Sequence, residues 1–330
     1  MKKILLSLVT LFAAATSAFA GDIITNGGFE SWTDGACDGW KSTTSASNCA
    51  ITQSADAHSG NSSVQIPEGK KNNRLGSKEY RLKAGTYTMK AYVKGAGSVS
   101  IGYVPIANYA VLNYAYSSKV TTTADGWTEV TKEFTLDKDT KVNFVLMNTK
   151  ETGKKLVDDF SVTTEDGGLA EEPTAFAAEG EGTLENPYNS VAANKAALEL
   201  ESGATATSEV YVKGIVHVIN FAYSAKKNLS FLISPDGTDN GAFYCYQVTS
   251  DEDPGLKEGD LVVLSGKLTN YNGTPEYAKG AKIVSITTGI STIAAEANKA
   301  GSGIYGLDGR RLTKAVRGVN IINGKKVIVK

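Results

Sequence analysis

Short runs of alternating apolar and polar residues dominate the chain from Asp22 to about Glu165. Tyr87, Met89, Ala91 and Val93 alternate with Thr88, Lys90 and Tyr92, while Val142, Phe144 and Leu146 alternate with Asn143 and Val145. Period-two alternation places every second side chain on one face of a strand, and the glycines and Asn/Asp/Ser clusters between runs mark turns. No stretch of helical period competes, so residues 21–165 are expected to form an all-β domain, a sandwich or jelly roll. Residues 166–182, rich in Gly, Ala, Glu and Pro and without periodicity, read as an interdomain linker.

After Pro187 the pattern changes. Asn189 or Ser190 can cap a run, Val191 to Leu200, that holds four alanines and two leucines, which predicts one helix. Five strand-like runs follow, at 209–219, 229–234, 243–249, 260–269 and 277–286. One helix with five strands predicts a small OB-like barrel over residues 183–288. Residues 289–302 read as a spacer. Residues 303–330 hold two short strand patterns, 303–307 and 319–330, around a basic turn at Arg310-Arg311, and are expected to form a short β segment of their own.

The first twenty residues follow a different rule. Lys2 and Lys3 precede an apolar run, Ile4 to Ala15, and Ala18-Phe19-Ala20 supplies a small-x-small cleavage site. The run is too short to span a bilayer, so residues 1–20 are expected to be a signal peptide and Gly21 the start of a secreted chain with no membrane span. Ligands are then sought among glycans, surfaces and other secreted proteins. Of 34 basic residues, two belong to this leader, leaving 32 against 35 acidic ones. That balance argues against electrostatic capture of nucleic acid or anionic lipid.

In such a compartment disulfides are permitted. Cys37 and Cys49 bracket a short polar loop, and a bridge between them stays open beside the alternative of free thiols, since spacing does not set Cβ geometry. Cys245, between Tyr244 and Tyr246, reads as a buried inert thiol. With His58 and His217 the only histidines, no Cys/His cluster suits zinc.

Six landmarks occur in order along the first domain: NGGFE at 26–30, GW at 39–40, AHSGNSSVQI at 57–66, LKAGTYTMKAYVKG at 82–95, GWTEVTKEFTL at 126–136 and VDDFSV at 157–162. Together they resemble the secreted carbohydrate-binding modules of the CenC type, a jelly-roll family usually attached to polysaccharide-degrading enzymes. Gly27 and Gly28 allow a close backbone approach, Phe29 anchors the core, and Trp40 and Trp127 are expected inside. Glu30 and the pair Asp158-Asp159 stand at the two ends of the domain, which a jelly roll brings together. Carboxylates with a carbonyl make a hard oxygen cage. The resemblance implies a structural calcium held by the Gly28 carbonyl, Glu30 and Asp158 or Asp159; the alternative is that these acids sit on solvated strand ends. His58-Ser59-Gly60 joins a base to a hydroxyl, but adjacent turn residues cannot form a nucleophile and base with an orienting third group.

A glycan site needs aromatic faces for the apolar side of a sugar and planar hydrogen-bonding groups for its hydroxyls. The stretch GYVPIANYAVLNYAY at 102–116 interleaves Tyr103, Tyr109, Tyr114 and Tyr116 with Asn108 and Asn113, and Asn72, Asn73 and Arg74 are the candidate contributions from another strand. The bland alternative is that half of these tyrosines fill the core.

The barrel, through GTLENPYNSVAANKAALE at 182–199, VYVKGIV at 210–216 and GDLVVLSGKLTNYNGTPEY at 259–277, resembles OB-like domains of secreted Bacteroidetes proteins. Some such folds bind single-stranded nucleic acid, but seven lysines, no arginine and nine acids between Ser208 and Thr288 give the wrong sign for tracking phosphates. The last segment resembles the C-terminal sorting segments that take Bacteroidetes proteins across the outer membrane by the type IX route, with Asn320 where tyrosine is usual; the resemblance implies contact with that export machinery. No GxSxG, HExxH or phosphate-binding glycine loop occurs. The expectation is a secreted or cell-surface, non-catalytic polysaccharide-binding protein. The alternatives are an accessory subunit or enzyme of glycosyl-bond hydrolysis, or a nucleic-acid-binding or nuclease-associated protein acting through the barrel.

Overall fold

A computed structural model describes residues 22–42, 50–288, 304–306, 311–312, 314, 317–322 and 325–329. The expected leader, Cys49 and the spacer at 289–302 lie outside these residues. The chain divides into two compact units between Thr174 and Ala175.

The N-terminal unit is a sandwich of two antiparallel sheets. Its strands are β1 (Trp32–Thr33), β2 (Ala36–Cys37), β3 (Trp40–Ser42), β4 (Thr52–Ser54), β5 (Ser63–Ile66), β6 (Asn73–Leu82), β7 (Gly85–Lys94), β8 (Gly97–Ala107), β9 (Ala110–Val111), β10 (Ala115–Tyr116), β11 (Val120–Thr122), β12 (Thr128–Leu136), β13 (Thr140–Asn148) and β14 (Lys155–Thr164). One sheet runs β10-β8-β13-β6-β3, with β9 and β11 also on β8; the other runs β12-β7-β14-β5-β4. The alternation read from sequence holds: Tyr87, Met89, Ala91 and Val93 are buried from one sheet and Val142, Phe144 and Leu146 from the other, in one shared core.

NGGFE forms the lock at one end. The Asn26 side chain donates to the carbonyls of Ser31 and Asp38 and accepts from Ser31 N, while the Asn26 backbone carbonyl accepts from Trp40 Nε1 at 3.0 Å. Phe29, held at φ 52°, puts its ring between the sheets 5.0 Å from Trp40, which meets Phe160 edge-on at 5.0 Å. Burying a ring of this size yields roughly 2–3 kcal/mol, enough to offset a strained φ of order 1–3 kcal/mol. Gly27 is required here, because a Cβ would strike the Phe160 carbonyl. Trp127 departs from expectation. It is half-buried outside the core, edge-on to His58 at 5.7 Å.

The C-terminal unit begins with β15 (Tyr188–Asn189) and α1 (Ser190–Leu198), capped by Asn189 Oδ1 accepting from Ala192 N at 2.8 Å. Strands β16 (Thr205–Phe221), β17 (Asn228–Ser234), β18 (Phe243–Thr249), β19 (Leu261–Tyr271) and β20 (Thr274–Tyr277) close a barrel in the order β16-β17-β18-β20-β19-β16. The fifth run of the sequence divides: β20 ends at Tyr277, the chain turns through Gly280 at φ 101°, and β21 (Lys282–Thr287) pairs again with β19. Ala193 and Ala197 of α1 pack into the barrel core with Phe231, Phe243 and Cys245. Tyr277 is buried there, its hydroxyl donating to the carbonyls of Val210 and Leu264. The chain is thus mostly β, a jelly-roll sandwich followed by a small barrel with one helix.

The segment read as a linker is tied at both ends. Lys83 N donates to Gly168 O and Ala170 N to Arg81 O, while Glu181 N donates to Asn186 O and Asn189 N to Glu179 O. In the tail, β22 (Ile304–Gly306), β23 (Arg311–Leu312), β24 (Gly318–Ile322) and β25 (Lys325–Val329) form one sheet in the order β23-β22-β24-β25. Among the described residues no helix is long and apolar enough to cross a membrane.

Candidate functional site

The face of the β8 sheet that points away from the shared core carries a cleft of about 260 Å³. Its origin is visible in β13, where Val145 and Met147, on the non-core parity, are buried as well. Val104, Ile106 and Val145 make a separate apolar cluster, covered by Tyr114 and Tyr116. Tyr109, Tyr114 and Val111 line the cleft beside Val104 and Ile106; Lys41, Glu79, Asn108 and Asn143 supply its polar groups. Registers bring them together, Val104 opposite Asn143 and Asn143 opposite Glu79.

The tyrosine pair is held from the side. Tyr114 and Tyr116 stack at 5.4 Å with their planes 1° apart, and the Arg74 guanidinium lies 4.9 Å from the Tyr114 centroid. Arg74 Nε donates to Tyr116 Oη at 2.8 Å. Burial pushes the Tyr116 hydroxyl up to about 12, against the opposing pull of Arg74, so it stays protonated near neutral pH. Gly102 makes room for this arrangement, since a Cβ there would collide with the Ala115 carbonyl and crowd Tyr116.

The sequence-selected residues therefore separate. Tyr109, 47% exposed, and Tyr114 and Asn108 line the cleft; Tyr116 and Arg74 brace it. Asn113 is exposed and is not among the lining residues. Tyr103 faces the other way. It shares the parity of Val99 and Ile101 and packs on Phe134 at 4.4 Å between the sheets, where burial raises its hydroxyl pKa. Lys41, Glu79 and Asn143 were not singled out by the sequence. Only the pairing of β3, β6, β13 and β8 assembles them.

Glu30, Asp158 and Asp159 do converge, on the turn at 58–62. Glu30 accepts from Asn61 N and Ser62 N, and these bonds hold its carboxyl below the usual range. Asp158 accepts from His58 N, Ser59 N and Asp159 N, yet burial outweighs those bonds and raises its pKa. Asp159, at φ 46° in a bulge of β14, receives Ser59 Oγ and sits 2.6 Å from His58 Nδ1. Gly28 lies beside this group, near Asp159 Oδ1. The acids spend these oxygens on N–H and O–H donors, and no group of three His, Cys, Asp or Glu among the described residues is placed to hold a metal. His58 and Ser59 both turn their side chains to Asp159.

Cys37 is buried and has no disulfide partner among the described residues, its thiol raised to about 12 chiefly by burial; its candidate partner Cys49 lies outside them. Cys245 is buried in the barrel core, and burial raises its thiol as well.

Residues 21–152, which contain every residue lining the cleft, match the family described as a carbohydrate binding domain. No curated protein matches the chain. Among solved structures, the chain is similar to the CBM22-1 xylan-binding domain of Paenibacillus barcinonensis Xyn10C, at 14% identity and a TM-score of 0.36, over 46% of this chain and 97% of that one. The Clostridium thermocellum xylanase 10B CBM22-1 and GH10 modules complexed with xylohexaose match at 13% identity and a TM-score of 0.32, over 38% of this chain and 26% of that one. TmCBM61 in complex with beta-1,4-galactotriose matches at 20% identity and a TM-score of 0.31, over 44% and 99%. These likenesses are too slight for those ligands to be carried across.

Proposed function

We propose, from the premise that the cleft lies wholly within the stretch matching a carbohydrate-binding domain, that this is a secreted, non-catalytic protein that holds polysaccharide there. The observation that carries the reading is the pairing of an apolar floor, Val104 and Ile106, with tyrosine walls and a rim of Glu79, Asn108, Asn143 and Lys41. Sugars present C–H faces that pack on tyrosine rings and hydroxyls that exchange hydrogen bonds with carboxylate, amide and ammonium groups. Arg74 and Tyr116 hold the Tyr114 ring before a ligand arrives, so less side-chain freedom is lost on binding.

Among the described residues, Glu79 is the one carboxylate lining this cleft, whereas glycoside hydrolysis calls on two flanking the bond. Holding a chain needs no second acid. Secretion is supported by the signal-peptide pattern of residues 1–20 and by a family match that begins at residue 21. Passage to the cell surface through the type IX route, using residues 303–330, belongs to the same proposal.

The test is a glycan array on the chain from Gly21, followed by titration of the best polysaccharide. Tyr114→Ala and Tyr109→Ala should each weaken binding by about tenfold or more, the worth of one good stacking contact. Flat titrations across the array would overturn the reading.

A further inference from the structure

The barrel carries a buried acid that its core does not use. Along β18, Phe243 and Cys245 point inward, so Tyr244 and Tyr246 take the outer face; on β20 Tyr277 points inward, so Glu276 is outward too. The parallel register sets Tyr244 directly beside Glu276. The two rings lie 5.9 Å apart at 54°, half-buried, with Asn220 Nδ2 3.4 Å from Tyr244 Oη and Gln247 Nε2 donating to Tyr246 Oη at 2.8 Å. Glu276 itself is only 6% exposed.

Buried carboxylates are ordinarily paired or hydrogen-bonded. Every other acid of this chain singled out above has such partners; the Glu276 carboxylate receives no hydrogen bond and no ion pair among the described residues. The elements packed against β20 are β18, β19 and α1. Across β18 stands Tyr244, across β19 the neutral Thr269 with the exposed Lys267 two residues along the same face, and the one charged residue within α1, Lys195, is exposed. Burial is the cause that raises the carboxyl's pKa.

The geometry points to a second binding site on the barrel, in which Glu276 receives the ammonium group of an amino sugar while Tyr244 and Tyr246 pack against the sugar ring. A cation supplies the charge that the site lacks, and tyrosine rings beside a carboxylate favour it further through their negative faces. The excess of acids over lysines across the barrel acts in the same direction. That the cation arrives on a sugar and not on a peptide rests on the glycan-binding reading of the N-terminal unit. Pairing draws the carboxyl back toward its ordinary range; where the sugar's amine arrives neutral it takes the proton the carboxyl gives up, and where it arrives as ammonium that proton goes to the buffer.

Calorimetry on the chain from Gly21 compares oligoglucosamine, its N-acetylated counterpart and oligolysine. Oligoglucosamine should bind about tenfold tighter than the acetylated sugar, as one charge-assisted contact allows. Glu276→Gln should abolish that preference. Tyr244→Ala, which keeps the carboxylate, should weaken oligoglucosamine by about tenfold and serves if the first variant does not fold. Tyr114→Ala should leave the preference intact, which keeps a failure here distinct from a failure of the cleft. Equal binding of the two sugars, binding of neither, a preference that survives Glu276→Gln, or oligolysine outcompeting oligoglucosamine would each overturn the proposal.

Discussion

Glu276→Gln should make the barrel more stable above neutral pH and leave it unchanged in acid. Burial raises the Glu276 carboxyl from 4.5 to about 7. Between those values the native state holds a proton that the unfolded chain has given up, so wild-type stability falls as pH rises through the window and levels off above it. At 1.36 kcal/mol for each pH unit of displacement, the loss approaches about 3 kcal/mol, an upper figure because the barrel can admit water around the ionised group. Glutamine keeps the shape and never ionises. The two proteins should therefore match near pH 4.5 and diverge to roughly 2–3 kcal/mol by pH 8. The assay must see the barrel alone, and the distribution of aromatics permits that. All three tryptophans, Trp32, Trp40 and Trp127, lie in the N-terminal unit, so their emission follows that unit, while amide exchange in β17 and β18 follows the barrel. Parallel pH profiles for the two proteins would refute the account of Glu276 as a desolvated acid.

Four further outcomes test the N-terminal unit. Tyr103→Ala should cost about 3 kcal/mol in denaturant unfolding and leave the affinity of whatever folded protein remains within about twofold, since that ring packs between the sheets; a change confined to affinity would place it in the cleft instead. Gly102→Ala should displace β10 from β8 and with it the tyrosine pair, lowering glycan affinity by about tenfold at a stability cost of about 1–3 kcal/mol; unaltered binding would contradict the packing described. Asp158→Ala leaves the N–H groups of His58, Ser59 and Asp159 without their acceptor and should destabilise the unit by about 2–4 kcal/mol, read from tryptophan emission; a loss below about 1 kcal/mol would show that the turn finds other partners. Because the same oxygens already face N–H donors, melting in calcium and in chelator should coincide, and a rise of several degrees on adding calcium would mean the acids turn to a cation.

What could be read from sequence follows the range of the interactions involved. Alternation in β7 and β13 and the Asn189 cap are local, and each is realised within a few residues of its signal. The division of the fifth barrel run at Gly280 was missed because apolar residues continue on both sides of the turn. Parity within β8, where Tyr103 follows Val99 and Ile101 at every second position, was present in the sequence but was masked by the density of tyrosines that follows. Trp127 shows the reverse case, a landmark aromatic that the fold leaves at the surface beside His58. Lys41, Glu79 and Asn143 meet only through cross-strand registers, and nothing in their neighbourhoods marks them. The isolation of Glu276 is a property of what does not surround it, which no local pattern expresses.

The first described residues of the sandwich unit lie against its last strand, β14. Ile23 N donates to Val162 O at 2.9 Å, and Asp22 Oδ1 accepts from Val162 N at 2.9 Å. A unit whose chain enters and leaves at one point tolerates circular permutation: a short bridge from Thr164 to Asp22, with new ends cut in the exposed turn at Lys70-Lys71, should still close both sheets. Such a permutant would carry the cleft at a new place in the chain order. The unit could then be grafted within a loop of an unrelated scaffold, with the incoming and outgoing chain left side by side.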